Sequence, residues 1–258
     1  MEISEILRRC DHTLLRQDAT VQQIRDLCDE AIRYNCASVC IPPCHVAGAK
    51  RYVGGKLPIC TVIGFPNGYS TTRVKVQEAR DAIAGGAAEI DMVVNLAMVK
   101  DRCWDDVLRE IVAVRDATEG YILKVIIETC LLTEEEKKKL CEIVSSSGAD
   151  YIKTSTGFST GGATREDVQL LRACCGPHVK VKAAGGIKTM QDAEDMIALG
   201  ADRLGTSRIV KLVMEMEKAA AASMPTPAAP AAAPAPAPAP SGEEEPTEAG
   251  DSQEPVEY

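Results

Sequence analysis

The fold of this chain is decided by a six-residue stretch, GADYIK at 148–153, which recurs as GAAEID at 86–91 and as GADRLG at 200–205. A looser fourth copy is NCASVC at 35–40. In each copy a Gly or Asn comes directly after a helical pattern, and a short strand follows. Gly and Asn are the residues that most often adopt the left-handed conformation that ends a helix. The stretch therefore predicts four points at which a helix ends and a strand begins.

The spacing of the four copies predicts one more strand in each gap. The copies start 51, 62 and 52 residues apart, about twice the ~25–30 residues of one strand–helix unit. The missing strands should be apolar runs, because both of their faces are covered. They are DHTLL at 11–15, before the first copy, and then PICTVIGF at 58–65, LKVIIET at 123–129 and VKVKAA at 179–184.

The helices between these strands have recognisable starts. Thr20, Thr133 and Thr189 are each followed three residues later by Gln, Glu or Asp, which is the pattern of a capping box. Eight alternating strand–helix units in about 220 residues predict an α/β fold, the (β/α)8 TIM barrel.

Beyond residue 222 the composition changes to PTPAAPAAAPAPAPAPSGEEEP at 225–246. Repeated Pro removes backbone donors and Ala has little surface to bury, so this segment is typical of a disordered tail. All 29 Lys and Arg residues precede residue 223, and seven acidic residues between 223 and 258 supply most of the net charge of −9. We predict a TIM-barrel domain over 1–222 and a disordered, Pro/Ala-rich and acidic tail over 223–258.

The composition of the 258-residue chain excludes several classes of protein. Hydrophobic residues make up 45%, enough for one large core. No basic cluster offers the electrostatic footprint of a nucleic-acid binder. No run of ~20 apolar residues predicts a membrane span, and Glu2 and Glu5 lie where a secretory signal would be basic and then apolar. Eleven cysteines without a Cys-x-x-Cys pair indicate reduced thiols, and we expect a cytoplasmic protein.

The register of the four copies predicts which side chains meet inside the barrel. The fifth residue after the capping position is Cys40, Asp91, Lys153 or Gly205, and alternate strands of a TIM barrel supply one interior layer. An interior Lys or Asp is costly to desolvate unless it pairs or reacts. The alternative is structural: an ion pair, with Lys153 pointing between the sheet and the helices.

A second lysine favours reaction chemistry. Lys182 lies on the strand beside that of Lys153. Side chains alternate along this strand with a period of two residues, which predicts that Lys182 points toward the interior. Two neighbouring amines disfavour each other's protonation, which favours the neutral amine that forms an imine with a carbonyl substrate. Asp91 could then move the proton on the carbon next to the imine. Asp11 is a second inward carboxylate, unless it caps a helix.

We predict an anion-binding site, called the anion cradle below, at the loops after the last two strands of the barrel. The first contains AAGGI at 183–187, and the second contains LGTS at 204–207, just before a helix. Phosphate in TIM barrels commonly binds at these loops, on backbone N–H groups and a helix N-terminus, and glycine lets the backbone approach. Ordinary turn chemistry is the alternative explanation of the glycine pair.

Seven sequence blocks follow one another over residues 1–215. They are DHTLL at 11–15, VCIPP at 39–43, EIDMVVN at 89–95, LKVIIET at 123–129, YIKTSTGF at 151–158, VKAAGGI at 181–187 and LGTS at 204–207. In this order they resemble the signature blocks of the deoxyribose-phosphate aldolase family. The resemblance implies a cofactor-free class I aldolase that reversibly splits 2-deoxyribose 5-phosphate into glyceraldehyde 3-phosphate and acetaldehyde.

The resemblance also implies the roles of single residues. Lys153 would form the Schiff base, Lys182 would be the neighbour that keeps this amine reactive, and Asp91 would be the acid/base carboxylate that works through a water. The substrate-binding residues implied are Asp11, Thr13, Cys40, Thr154, Gly185, Gly186, Gly205 and Ser207.

Three positions stand apart from this set. Phe158 occupies a place where some members of the family have a lysine that helps to hold phosphate. Arg208 follows Ser207 where a small residue is common, so it either supplies the missing positive charge or points away. Tyr258 ends the tail, and some relatives use a C-terminal tyrosine in proton transfer, although acidic neighbours oppose its approach to a phosphate site.

Three other functions compete with this prediction. A metal site at Cys36, Cys40 and Cys44 is disfavoured, because Cys36 and Cys40 bracket a strand and lie ~13 Å apart. A sugar-phosphate sensor would keep the anion cradle but has no use for two interior lysines. A class I aldolase with another substrate stays open, because imine chemistry does not name the aldehyde.

The expected partners are small molecules. They are the sugar phosphate and acetaldehyde, with neither nucleic acid nor a membrane, and no cofactor or metal is expected. The sequence leaves the oligomeric state open, with a homodimer as the candidate.

Overall fold

Eight parallel strands form a closed barrel in sequence order, and the (β/α)8 prediction is confirmed. The structure, a computed structural model, describes residues 1–223. Every strand pairs with the next one along the chain, and the last pairs with the first. The strands are β1 (Cys10–Thr13), β2 (Ser38–Ile41), β3 (Ile59–Ile63), β4 (Glu89–Val93), β5 (Ile122–Ile126), β6 (Tyr151–Lys153), β7 (Lys180–Ala184) and β8 (Arg203–Thr206).

Helices surround the barrel and cover the outer face of the sheet. The second helix shows how they do so: Ile24, Leu27, Cys28 and Ala31 form a buried apolar stripe at helical spacing. The helices are α1 (Ile3–Leu7), α2 (Val21–Arg33), α3 (Val46–Val53), α4 (Thr72–Ala84), α5 (Leu96–Lys100), α6 (Trp104–Ala117), α7 (Glu134–Ser146), α8 (Arg165–Cys174), α9 (Met190–Ala198) and α10 (Ile209–Ser223). Short 3-10 turns occupy Pro43–His45 and Thr129–Leu131.

The predicted helix boundaries are confirmed by their local chemistry. Thr20, Thr133 and Thr189 each form a reciprocal capping box with the residue three positions later. At the other ends, the residue that opens each copy of the repeat has a left-handed backbone, which explains the choice of Gly or Asn. The φ angles are 51° at Asn35, 102° at Gly86, 77° at Gly148 and 107° at Gly200.

Side chains on the inner face of the strands stack in three layers of four, each from alternate strands. The strand register defines the layers, because inward residues lie two apart along each strand. The lower layer is Ser38, Glu89, Tyr151 and Arg203, the middle layer is Asp11, Cys60, Lys124 and Lys182, and the upper layer is Cys40, Asp91, Lys153 and Gly205. The upper layer is the one that the repeat predicts.

The apolar core lies outside this stack, between the sheet and the helices. Ile90, Leu123, Ile152 and Val181 point outward from their strands and are fully buried in it. The interior of the barrel is therefore left to charged and polar side chains, which an ordinary core would exclude.

Residues Met1–Ala222 form one compact unit. No helix within residues 1–223 is long and apolar enough to cross a membrane. The domain boundary at 222 and the disordered tail at 223–258 stay predictions, and Tyr258 lies outside the described residues.

Candidate active site

A cavity of about 590 Å³ opens at the carboxyl ends of the strands, where ligands bind in TIM barrels. Its wall comes from one half of the barrel mouth, the loops after β6, β7, β8 and β1. The lining residues are 13–16, Lys153, 156–158, 184–188, 205–208 and Lys211. A second cavity, of about 520 Å³ between α2 and α3, contains none of the predicted site residues.

Lys153 lies at the floor of this cavity. It is the last residue of β6 and is only 3% exposed. Its neighbour Ile152 points into the apolar core between sheet and helices, so alternation turns Lys153 inward. The Lys153 Nζ donates a hydrogen bond to Oδ2 of Asp91 at 2.8 Å.

Asp91 is the centre of the buried charges. Its Oδ2 also accepts from Nζ of Lys182 at 2.7 Å, and its Oδ1 accepts from Nζ of Lys124 at 2.9 Å. Burial alone would raise the pKa of Asp91, but the positive charges of Lys124, Lys153 and Lys182 outweigh burial and hold this pKa well below its ordinary value. Asp91 is therefore a carboxylate at neutral pH.

Lys182 stays positively charged beside Lys153. Its Nζ lies 2.5 Å from Oδ2 of Asp11 and 2.7 Å from Oδ2 of Asp91. Burial alone would lower the pKa of Lys182, but the carboxylates of Asp11 and Asp91 outweigh burial and raise this pKa above its ordinary value. Nη1 of Arg203 donates to Oδ1 of Asp11 at 2.5 Å, so each carboxylate is shared between cations.

The interior layers contain one more cation than they contain carboxylates. Neighbouring carboxylates overcome the effect of burial and raise the pKa of Lys124 and of Arg203, as they do for Lys182. Four cations therefore face three carboxylates, and Lys153 alone among these cations borders the cavity. The cations are Lys124, Lys153, Lys182 and Arg203, and the carboxylates are Asp11, Glu89 and Asp91.

The rim of the cavity beside β7 is made of exposed backbone. Gly185 and Gly186 have φ angles of 77° and 78°, a region that only glycine adopts without strain. A Cβ added to Gly162, in the loop after β6, would lie 2.5 Å from the carbonyl carbon of Gly185. Glycine at these positions thus lets the loops after β6 and β7 touch and leaves the backbone open to an anion.

The mouth of the cavity carries positive charge. Arg16, Lys188, Arg208 and Lys211 line it, and none of the described lining residues is acidic. A positively charged cleft without acidic residues attracts an anionic ligand.

The two residues that depart from the family pattern have defined contacts. The Arg208 guanidinium pairs with the Glu215 carboxylate on α10, at 3.2 Å. The Phe158 ring packs edge to face on Phe65, with centroids 5.3 Å apart. Phe65 follows β3 and Phe158 follows β6, so the contact joins loops from two strands that are not neighbours. Phe158 also lines the cavity.

The remaining predicted site residues divide into two groups. Thr13, Gly185, Gly186, Gly205 and Ser207 lie on the cavity wall. Beneath it, Asp11 and Cys40 belong to the interior layers, and the hydroxyl of Thr154 bonds both the backbone N–H and the C=O of Ala184.

The sequence of residues 6–207 matches the model of one protein family, DeoC/LacD family aldolase. The chain belongs to this family. It is 58% identical over 213 residues to a deoxyribose-phosphate aldolase of Streptococcus agalactiae, with 83% of this chain and 96% of the relative covered.

Solved structures agree with this membership. The chain resembles the aldolase QR15 with a TM-score of 0.79 and 38% identity, covering 85% of this chain and 99% of QR15. It resembles deoxyribose phosphate aldolase from Aeropyrum pernix, a tetramer, with a TM-score of 0.77 and 32% identity, covering 84% and 93% of the two chains.

Several charged residues of this DeoC/LacD aldolase were missed by sequence reasoning. Lys124 was hidden in the apolar run of β5, and Lys188 and Lys211 lie in loop and helix patterns without a special signal. Glu89 and Arg203 had a usable signal, because they precede Asp91 and Gly205 by two residues in the repeat and so face the same interior.

The buried thiols and carboxylates beneath the cavity do not suit a metal ion. Ligand atoms of Cys40, Cys60 and Asp91 lie within 4.8 Å of one another, as do those of Asp11, Cys60 and Glu89. The carboxylates already pair with lysine ammonium groups at 2.5 to 2.9 Å. A divalent cation placed there would be repelled by the lysines.

Gly162→Ala is expected to weaken the glycine rim of this aldolase. The new Cβ would overlap the backbone of Gly185, so the loop after β7 must move. We expect the KM for a phosphorylated substrate to rise about tenfold, with a smaller effect on its unphosphorylated analogue. Gly48→Ala is the matched control, because nothing lies within 4 Å of its Cβ position. Equal effects of Gly162→Ala on both substrates would contradict a phosphate site at this rim.

Proposed function

We propose that this chain is a class I aldolase that reversibly cleaves 2-deoxy-D-ribose 5-phosphate into D-glyceraldehyde 3-phosphate and acetaldehyde. The observation that carries the proposal is the position of Lys153, at the floor of an anion-attracting cavity and bonded to a carboxylate that also pairs with Lys182. Family membership and relatives named deoxyribose-phosphate aldolase support the choice of substrate.

The reaction begins at the amine of Lys153. The neutral amine adds to carbon 1 of the open-chain sugar, and the adduct takes up a proton from water and loses its hydroxyl as water, which leaves an iminium ion. Removal of the proton from the hydroxyl on carbon 3 then breaks the bond between carbons 2 and 3. The electron pair of that bond passes to the iminium, glyceraldehyde 3-phosphate leaves, and an enamine remains on Lys153.

The second half of the reaction restores the amine. Protonation of carbon 2 turns the enamine into the iminium of acetaldehyde, and water then releases acetaldehyde from Lys153. We assign the proton transfers to Asp91, acting through a water, because its carboxylate lies 2.8 Å from the reacting amine.

The remaining predicted residues bind the sugar phosphate. Gly185, Gly186, Gly205 and Ser207 would hold the phosphate on backbone N–H groups, with positive charge from Lys188 and Lys211 at the same rim. Thr13 would reach a sugar hydroxyl, while Asp11, Cys40 and Thr154 support the floor. Arg208 is a weaker candidate, because Glu215 already occupies its guanidinium.

The cellular setting is part of this proposal. All eleven cysteines are free thiols, which fits a reducing cytoplasm. The homodimer and a catalytic Tyr258 stay predictions.

Turnover of 2-deoxyribose 5-phosphate tests the proposal directly. Acetaldehyde release from this sugar is expected, and none is expected from 2-deoxyribose 1-phosphate, whose locked ring presents no aldehyde to an amine. Binding of the 5-phosphate without release of acetaldehyde would favour the sensor instead. Faster cleavage of another aldol would favour an aldolase of different substrate choice.

Lys182→Met is expected to raise the pH optimum of turnover. Without the ammonium of Lys182 the interior holds as many cations as carboxylates while Lys153 is protonated, so its neutral form is less favoured. We expect the rate at pH 7 to fall about tenfold and the optimum to rise by about one pH unit. Lys56→Met, an exposed lysine after α3, is the control, and an unchanged optimum in Lys182→Met would contradict this role.

A further inference from the structure

The lower layer contains an ion pair that the proposed mechanism does not use. Nη1 of Arg203 lies 3.3 Å from both carboxylate oxygens of Glu89, and the Arg203 side chain is 11% exposed. Its guanidinium also lies 5.7 Å from the centroid of the Tyr151 ring. Arg203 and Glu89 are two residues below the upper layer and do not line the cavity, so they do not touch substrate.

This pair is connected to Lys153 by two continuous rows of contacts. On one side, Arg203 bonds Asp11, Asp11 bonds Lys182, and Lys182 bonds Asp91. On the other side, Glu89 lies 2.5 Å from Nζ of Lys124, which bonds Asp91. Both rows meet at the carboxylate that bonds Lys153.

We infer that Arg203 and Glu89 are positioning residues that set the protonation of Lys153 from the opposite end of the barrel interior. They do so by fixing the net charge of the three layers. The inference rests on the proposed Schiff-base function and adds two residues to it.

Neutralising Arg203 and neutralising Glu89 change the net charge of the interior in opposite directions. With Arg203 replaced by a neutral residue, three cations face three carboxylates while Lys153 is protonated, so release of its proton is disfavoured. With Glu89 neutral, four cations face two carboxylates, so release is favoured. A unit charge on the order of 10 Å away at an effective dielectric of ~20 changes a protonation equilibrium by about one pH unit.

The other charged or titratable neighbours stay in place in these variants. Lys153 is faced by Asp91, by Lys182 and by the thiol of Cys40. Arg203 and Glu89 are faced by Asp11, Lys124 and Tyr151, and Cys10 also feels the charge of Arg203. A difference in pH dependence between these variants and the wild type therefore reports on the Arg203–Glu89 pair.

The test is the pH dependence of kcat/KM in Arg203→Met, Glu89→Gln and the double variant. The acid limb of the profile is expected to move up by about one pH unit in Arg203→Met and down by about one unit in Glu89→Gln. The double variant restores the charge balance and is expected to return to the wild-type limb. Arg203→Lys keeps the charge and should shift the limb by less than Arg203→Met.

A second readout reports on Lys153 itself. The rate at which acetaldehyde and borohydride modify Lys153, measured against pH, should shift with the acid limb in each variant. Thermal unfolding of all variants shows whether they fold. If Arg203→Met does not fold, Glu89→Gln and the double variant still carry the comparison.

The outcomes separate this inference from the proposed function. The inference would be overturned if the acid limb of the kcat/KM profile stayed in place, or if it moved in the same direction in Arg203→Met and Glu89→Gln. If wild-type protein neither turns over deoxyribose 5-phosphate nor is modified at Lys153, the proposed function itself fails.

Discussion

Lys153→Met is expected to abolish cleavage of 2-deoxyribose 5-phosphate, with kcat reduced about 10⁴-fold or more, because no other amine within residues 1–223 borders the floor of the cavity. The wild-type protein treated with acetaldehyde and borohydride should carry N-ethyl-lysine at position 153, and the variant should carry none. Peptide mapping after reduction measures both.

The neighbouring lysines are the internal control for this experiment. Lys124 and Lys182 are fully buried and bonded to carboxylates, so they should stay unmodified. The variant should also fold normally, because its interior cations and carboxylates are equal in number. Full turnover by Lys153→Met, or an adduct on Lys182, would refute the Schiff-base assignment.

Asp91→Asn is expected to lose both activity and stability. Lys124, Lys153 and Lys182 would lose the carboxylate that they share, and breaking a buried ion pair by removing one partner costs about 3–5 kcal/mol. Urea unfolding at pH 7 measures the free energy of unfolding. Glu142→Gln is the control, because its exposed pair with Lys139 should contribute no more than about 1 kcal/mol.

The stability difference between wild type and Asp91→Asn should depend on pH. The folded-state pKa of Asp91 is lowered, so its ionised form stabilises the wild type above the ordinary Asp value of about 3.9. This contribution is lost as the pH falls through the lowered folded value. The two unfolding free energies should therefore converge in acid, and a constant difference down to pH 2 would contradict the assigned charge state.

Local signals in the sequence were sufficient for the fold. A Gly or Asn that must adopt a left-handed conformation ends the helix, and the two-residue period of the strand then fixes which side chain points inward. This is why the repeat places Asp91, Lys153 and Gly205 in one layer. Capping boxes such as that of Thr133 are equally local, since both partners lie within one turn.

The pairing of charges could not be predicted in the same way. Whether Lys124 bonds Glu89, Asp91 or both depends on how far a flexible side chain reaches across the barrel, which no local pattern records. The Phe65–Phe158 contact joins loops from β3 and β6, and the pairing of Arg208 with Glu215 likewise depends on tertiary structure.

One place in the upper layer has no side chain. A Cβ on Gly205 would lie 2.9 Å from Cβ of Ala184 and 3.2 Å from Cε of Lys182, so a fourth side chain in this layer would push against Lys182. Glycine at this one position therefore lets a lysine of the middle layer reach up to Asp91, the carboxylate that also bonds Lys153. The charge pairing at the floor of the cavity thus depends on the absence of a single carbon atom.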